Sequence, residues 1–174
     1  MKKEFNKKIN TGFTLIEILL YVSLFVIIVL GSVAFIHTMI ETNIKTKTIL
    51  EAENQADRAM SIITQQIRNS PSVISPNNQT ISDTLVLEGQ ESATSTIIFS
   101  NIDNSIVIEE ETGATTTLTS NKIIISDLNF KNLGNTNNKA SIKISFKVKT
   151  QGPNERQEYN YEKTYERTAS IRNE

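Results

Sequence analysis

The sequence predicts an α+β protein in which one long amino-terminal helix packs against a small antiparallel β-sheet head. Three patterns lead to this prediction: an uncharged apolar run, an amphipathic helical pattern directly after it, and a series of short β-rich runs in the rest of the chain. At 174 residues the chain has room for one globular domain and one further element. We therefore divide it into residues 1–12, 13–40, 41–70 and 71–174.

The first two segments predict a membrane anchor. Residues 1–12 carry four lysines against one glutamate and contain no apolar run. Ile18 to Ile40 follow with 23 residues that include no Asp, Glu, Lys or Arg, and about 20 such residues span a bilayer as a helix. Because lysines flanking a span stay in the cytoplasm, we expect residues 1–12 inside and everything after Ile40 outside the membrane.

An amphipathic helix is predicted to continue beyond the apolar run. Apolar residues recur there at steps of three and four, which places them on one helical face: Ile49, Ala52, Ala56, Met60, Ile63 and Ile67. Pro71 is expected to end the helix, since proline has no amide hydrogen to donate and disfavours helical backbone at the residue before it.

The remaining chain is rich in Ser, Thr and Asn and shows five short β-rich runs. These are Thr84–Glu88, Ser95–Ser100, Ser105–Glu109, Lys122–Ser126 and Ser141–Lys149. In the last run, apolar residues from Ile142 to Val148 alternate with polar ones, as expected for a sheet with one face in water. The amphipathic helix is the long apolar surface that can cover the other face.

Catalytic and metal-binding functions are not expected. The chain has no cysteine, its one histidine (His37) lies inside the apolar run, and no phosphate-loop or Gly-x-Ser-x-Gly pattern occurs. We therefore predict no enzyme activity, no catalytic residue, no bound metal and no cofactor. The net charge of −1 gives no overall basic field, which makes nucleic acid an unlikely partner.

The junction between the basic segment and the apolar run carries a specific motif, Gly12-Phe13-Thr14-Leu15-Ile16-Glu17. It resembles the cleavage and methylation signal of prepilins, the precursors of type IV pilins and of type II secretion pseudopilins. The resemblance implies a pilin fold, cleavage after Gly12, N-methylation of Phe13 as the new amino terminus, and a role of Glu17 in pairing subunits during assembly.

The same resemblance implies the partners and the location. Other pilins or pseudopilins, a prepilin peptidase and an inner-membrane assembly platform are the expected partners, first in the bacterial cytoplasmic membrane and then in an envelope or surface filament. The membrane half lacks the proline, and the chain lacks the cysteine pair, that major pilins usually carry, which favours a minor subunit. Two stretches are similar to the larger minor pseudopilins of the J type and to minor pilins of the W type: Gln66-Ile67-Arg68 followed by Pro71, and the final strand that ends in Ala169–Asn173.

Glu17 also stands out on physical grounds. A carboxylate at the middle of a membrane costs about 2.5–3.5 kcal/mol on insertion scales and is normally paired or functional. Cleavage before Phe13 creates an ammonium that can pair with Glu17 of a neighbouring subunit. The simpler alternative is that Glu17 marks the interface where the span begins.

Three other interpretations stay open. A conventional signal peptide cut after Ser32-Val33-Ala34 would release, from Phe35 onward, a secreted β domain that does not polymerise; an anchored, non-polymerising binding module is a related possibility. Glu109 to Glu111 before Gly113 could bind calcium or form an ordinary solvated turn. The Tyr159–Arg167 segment, with aromatic and basic residues on one side, could stack on single-stranded nucleic acid or form a half-buried closing strand.

Overall fold

A computed structural model describes residues 12–89, 96–110, 113–134, 140–150 and 159–172. Within these residues, one helix, α1 (Leu15–Asn69), precedes nine β-strands. The chain divides into two compact units between Thr42 and Asn43.

The first unit contains the apolar part of α1. Within residues 12–40 every residue is exposed except Glu17, which is half-buried. The polar residues of the run satisfy their hydroxyls on the helix itself, because Ser23, Ser32 and Thr38 donate to carbonyls of the preceding turn at 2.8–3.1 Å. Among the described residues, α1 is the one helix long and apolar enough to cross a membrane.

The second unit begins with the amphipathic part of α1. Its buried side chains follow the helical period and match the predicted face from Ala52 to Ile67, with Ala59 and Thr64 added: Ala52, Ala56, Ala59, Met60, Ile63, Thr64 and Ile67. Ile49, also assigned to that face, is half-buried. The helix ends at Asn69, two residues before Pro71 as predicted, and the Ser70 amide and hydroxyl both donate to the Gln66 carbonyl.

In the described part of the chain, nine strands form two antiparallel sheets. In chain order they are β1 (Val73–Ser75), β2 (Ile81–Ser82), β3 (Leu85–Glu88), β4 (Thr96–Ile102), β5 (Ser105–Glu110), β6 (Thr115–Thr117), β7 (Ile123–Asn132), β8 (Ser141–Thr150) and β9 (Glu162–Ser170). One sheet has the order β1-β3-β4-β5-β6, and the other β2-β7-β8-β9. The predicted antiparallel head is confirmed, and it consists of two sheets where one was expected.

The β4–β5 hairpin joins the two sheets. Its two-residue turn, Asp103-Asn104, has positive φ at both positions, the conformation that suits the twist of the flanking strands and that Asn and Asp tolerate. The Asn104 carbonyl accepts the Ile125 amide of β7 at 2.8 Å, and the Asn101 side chain donates to the Ile125 carbonyl at 3.1 Å. The hairpin therefore bonds its own sheet to the second one.

A β-bulge bends β7. Ser126 pairs with Lys147 and Asn129 with Ser145, so two residues of β7, Asp127 and Leu128, stand opposite one residue of β8. Asp127 takes a positive φ of 52° at this point. The bulge shifts the buried positions of β7 by one, from Ile123 and Ile125 to Leu128 and Phe130, and keeps the apolar side chains of both halves in the core.

One hydrophobic core lies between the inner face of α1 and both sheets. It contains Ala52 to Ile67 of the helix together with apolar residues of β3, β4, β5, β7, β8 and β9. The alternation predicted for β8 is confirmed, because Ile142, Ile144, Phe146 and Val148 are all fully buried. Three phenylalanines are the bulkiest buried residues: Phe99, Phe130 and Phe146.

Replacing Phe146 by Ala is expected to destabilise the head by about 3–5 kcal/mol, because it leaves a cavity at a fully buried site. The substitution also removes the stacking of Phe146 on Tyr165, whose ring centroids lie 5.9 Å apart. Lys147→Ala, its neighbour on the wet face, removes only an exposed ion pair with Glu162 and should change stability little. Urea unfolding of full-length protein in detergent, followed by tyrosine fluorescence, measures both. Equal midpoints would contradict the register of β8.

Candidate functional site

The predicted cleavage site lies on an exposed stretch before α1. Gly12 and Phe13 are exposed and outside the helix, and Phe13 shows 72% of its surface. A Cβ atom added to Gly12 would meet no heavy atom within 4 Å. Because neither contacts nor a positive φ require glycine here, the reason for a residue without a side chain is not found in the described chain.

Glu17 lies in the first turn of α1. The Thr14 carbonyl accepts the amides of Glu17 and Ile18 at 3.1 and 3.2 Å, which begins the helical hydrogen bonding. The first turn is where a carboxylate interacts favourably with the helix dipole. The helix dipole therefore partly offsets the free-energy cost of a carboxylate in the first turn of an apolar helix.

The structure brings Phe13 and Glu17 together through a residue that sequence analysis missed, Tyr21. The Tyr21 hydroxyl donates to Glu17 Oε1 at 3.1 Å, and its ring meets the Phe13 ring edge-on with centroids 6.4 Å apart. The signal was present in the sequence, since residues four apart lie on one helical face. Tyr21 therefore orients the carboxylate on the face that carries Phe13.

The apolar surface that α1 presents from Ile18 to Ile40 has no partner within its own unit. All residues from Ile18 to Ile40 are exposed, so the hydrophobic side chains of this segment are not buried within the first unit. An apolar surface of this extent marks a membrane or protein interaction site. The arrangement can therefore insert into lipid and bury the helix against similar helices.

The carboxyl end of the apolar run carries a polar pair. His37 Nδ1 lies 3.3 Å from Glu41 Oε1, one turn further along α1. Ser32, Val33 and Ala34, the alternative cleavage site, lie inside α1.

The acidic run at the end of β5 gives no metal centre among the described residues. Glu109 and Glu110 are exposed at the end of β5, and Glu111 lies outside the described residues. The Gly113 amide donates to the Glu110 carbonyl at 2.8 Å, which closes a hairpin into β6. Among the described residues there is no group of three or more side chains suited to hold a metal ion.

The carboxyl-terminal segment contains β9, an edge strand of the second sheet in which Tyr165 is half-buried, Ala169 is buried and the other residues are exposed. Tyr161 and Tyr165 pack against the core, and β9 pairs along its length with β8. The Tyr161 hydroxyl donates to Glu53 Oε1 at 3.1 Å and Lys163 Nζ lies 2.7 Å from the same atom. The basic side of this strand therefore faces the acidic side of α1.

Hydrogen bonds and burial shift the pKa values around this contact. The Lys163 ammonium, and then the Tyr161 hydroxyl, donate to the Glu53 carboxylate and hold its pKa below the usual value of 4.5. Burial, and then the hydrogen bond with Tyr161, raise the pKa of Tyr165 well above its usual range. Glu53 therefore binds Lys163 as a charged carboxylate at neutral pH.

No family model, curated protein or solved structure matches this chain.

Acidification should loosen the contact between β9 and α1. A carboxyl whose pKa is lowered in the folded state stabilises it above the ordinary pKa, and this contribution is lost as the pH falls from about 4.5 through the lowered value. The urea midpoint of the wild type should thus fall more steeply with acidification than that of Glu53→Gln. The matched control is Glu51→Gln, because the wild-type Glu51 carboxylate accepts a hydrogen bond from the Gln55 side-chain amide. The urea midpoint of this variant should fall with acidification as steeply as that of the wild type. Parallel curves for all three proteins would contradict this role of Glu53.

Proposed function

We propose that the protein is a minor pilin or pseudopilin, a structural subunit of a type IV pilus-like or type II secretion-like filament rather than an enzyme. The observation that carries the proposal is Glu17, a carboxylate in the first turn of an exposed apolar helix, linked through Tyr21 to Phe13. A membrane anchor alone has no need of a carboxylate at this place, whereas helices that bundle in lipid gain from a paired charge.

Processing by a prepilin peptidase is the first step of the proposed function. Hydrolysis of the Gly12–Phe13 bond leaves a carboxylate on Gly12 and an ammonium on Phe13, which is then N-methylated. The exposure of both residues and their position before α1 support access by a protease. The open space around Gly12 supports selection of glycine by the peptidase rather than by the fold.

Lateral assembly is the second step. The mature subunit stays in the cytoplasmic membrane through the apolar segment until the assembly platform brings it against other pilins. The Phe13 ammonium of one subunit then pairs with Glu17 of the next, and the exposed apolar surface from Ile18 to Ile40 exchanges lipid for neighbouring helices. The head outside the membrane needs no rearrangement, since the inner face of its own helix is already buried.

Gly12→Asp should block processing, because the added carboxylate obstructs the peptidase at the residue before the scissile bond. The full-length precursor is expected to accumulate in the membrane, and the mass of the purified protein measures the outcome. Gly31→Ala is the matched glycine control and should be processed normally, since a Cβ at Gly31 also meets nothing within 4 Å.

The amino terminus of the wild-type mature protein separates the competing functions in the same experiment. The proposal requires Phe13, and a secreted β domain that does not polymerise requires Phe35. Mature-sized Gly12→Asp protein would contradict the processing step.

Glu17→Gln should leave processing intact and prevent incorporation into filaments. The substitution keeps the side-chain shape and a hydrogen-bond acceptor for Tyr21 but removes the charge, so an incoming Phe13 ammonium is buried unpaired. Removing one partner of a buried pair costs about 3–5 kcal/mol. The measurement is the fraction of mature protein that co-purifies with sheared filaments or with partner pilins.

Two variants separate charge from orientation. Tyr21→Phe removes the hydroxyl that bonds Glu17 and keeps the ring beside Phe13, so incorporation should fall less than in Glu17→Gln. Glu41→Gln neutralises a carboxylate at the other end of the apolar run and should not affect incorporation. Full incorporation of processed Glu17→Gln would mean that Glu17 only marks the start of the span, and the anchored, non-polymerising module would then be favoured.

A further inference from the structure

A surface cavity of about 510 Å³ lies between the last turns of α1 and β9. The side chains that line it combine two guanidinium groups with hydroxyls and amides and include no carboxylate: Ser61, Thr64, Gln65, Arg68, Asn69 and Arg167. The cavity is distant in sequence from the Gly12–Tyr21 region, and nothing in the proposed assembly uses it. Its lining is that of a polar, positively charged site.

Thr64 is the residue that distinguishes this cavity from an ordinary surface depression. Its side chain is only 6% exposed, and its hydroxyl has no hydrogen-bond partner among the described residues. Hydroxyls elsewhere on α1 donate to the carbonyl one turn earlier, as Thr38, Thr42 and Thr48 do. An unpaired buried hydroxyl destabilises the folded state, so its retention next to a charged cavity indicates a ligand that pairs with it.

The guanidinium groups of Arg68 and Arg167 have N–H donors available for a ligand. Arg167 Nη2 lies 3.8 Å from Asp57 Oδ1, which exceeds hydrogen-bond length. The guanidinium of Arg68 makes no ion pair with any residue that the structure describes. Each guanidinium carries five N–H donors in a planar fork that matches the oxygens of carboxylate and phosphate groups.

We propose that this cavity binds an oxyanion, either a phosphate or a carboxylate group, held by Arg68 and Arg167 and by the hydroxyl of Thr64. The carboxyl end of a helix carries partial negative charge, which opposes an anion. Here that charge is reduced, because the Arg172 amide donates to the Arg68 carbonyl at 3.3 Å and Ser70 donates twice to the Gln66 carbonyl. The positive charges of the Arg68 and Arg167 guanidinium groups exceed the partial negative charge that remains at the end of α1.

The test titrates inorganic phosphate and acetate, in separate experiments at constant ionic strength, into full-length protein in detergent micelles. The ¹⁵Nε signals of the arginine side chains report binding. Saturable shifts of the Arg68 and Arg167 signals are expected, and the anion with the lower dissociation constant distinguishes a phosphate site from a carboxylate site. Arg68→Gln and Thr64→Val should each weaken binding about tenfold or more, since each removes a hydrogen bond to a charged group.

Matched variants separate a site from general attraction to a cation. Arg58→Gln removes the same charge from an exposed position of α1 outside the cavity and should leave affinity unchanged. Asp57→Asn removes the carboxylate nearest Arg167 and should tighten binding. Thr64→Val should not lower the urea midpoint, because it deletes an unpaired hydroxyl. Shifts that do not saturate, or equal affinities of the Arg58→Gln and Arg68→Gln proteins, would overturn the proposal.

Discussion

The head depends on the burial of one face of α1 in a hydrophobic core to which both sheets contribute. Three alanines, Ala52, Ala56 and Ala59, occupy much of that face and are fully buried, so the helix backbone can approach the strands closely. Met60, Ile63 and Ile67 then fill the space toward the end of the helix. Because both sheets contribute to the same core, a change on this face of α1 weakens both sheets at once.

The helix and most of the strands could be predicted from the sequence because their signals are local. The period of 3.6 residues from Ala52 to Ile67, the proline at 71 and the alternation from Ile142 to Val148 each report on residues near in sequence. All five predicted strands occur, with ends that differ by up to two residues except in β7. The short strands β1, β2 and β6 were missed, since two or three residues carry no detectable period.

What sequence patterns could not supply depends on contacts between distant residues. The predicted strand 122–126 ends where β7 bulges, because Asp127 interrupts the alternation and hides that Leu128 and Phe130 continue the same strand. The division into two sheets follows from the pairing order, which no single strand determines. The approach of Arg68 to Arg167 and the burial of Thr64 likewise require the folded head. Tyr21 is different, since its spacing from Glu17 was visible and only its significance was missed.

In each unit of the chain, one polar side chain of α1 departs from the hydrogen bonding to the helix backbone that serine and threonine hydroxyls make elsewhere on this helix. In the apolar part of α1, serine and threonine hydroxyls bond to the helix backbone and leave a surface that lipid or another apolar helix can cover. Glu17 departs from this pattern, because its charge can be neutralised only by a group from outside the helix or by loss of the charge itself. In the head, Thr64 departs from it in the same sense, with a buried hydroxyl left unpaired beside two arginines. A buried hydroxyl without a hydrogen-bond partner among the described residues, as in Thr64, is the strongest indication in this structure of where a partner binds.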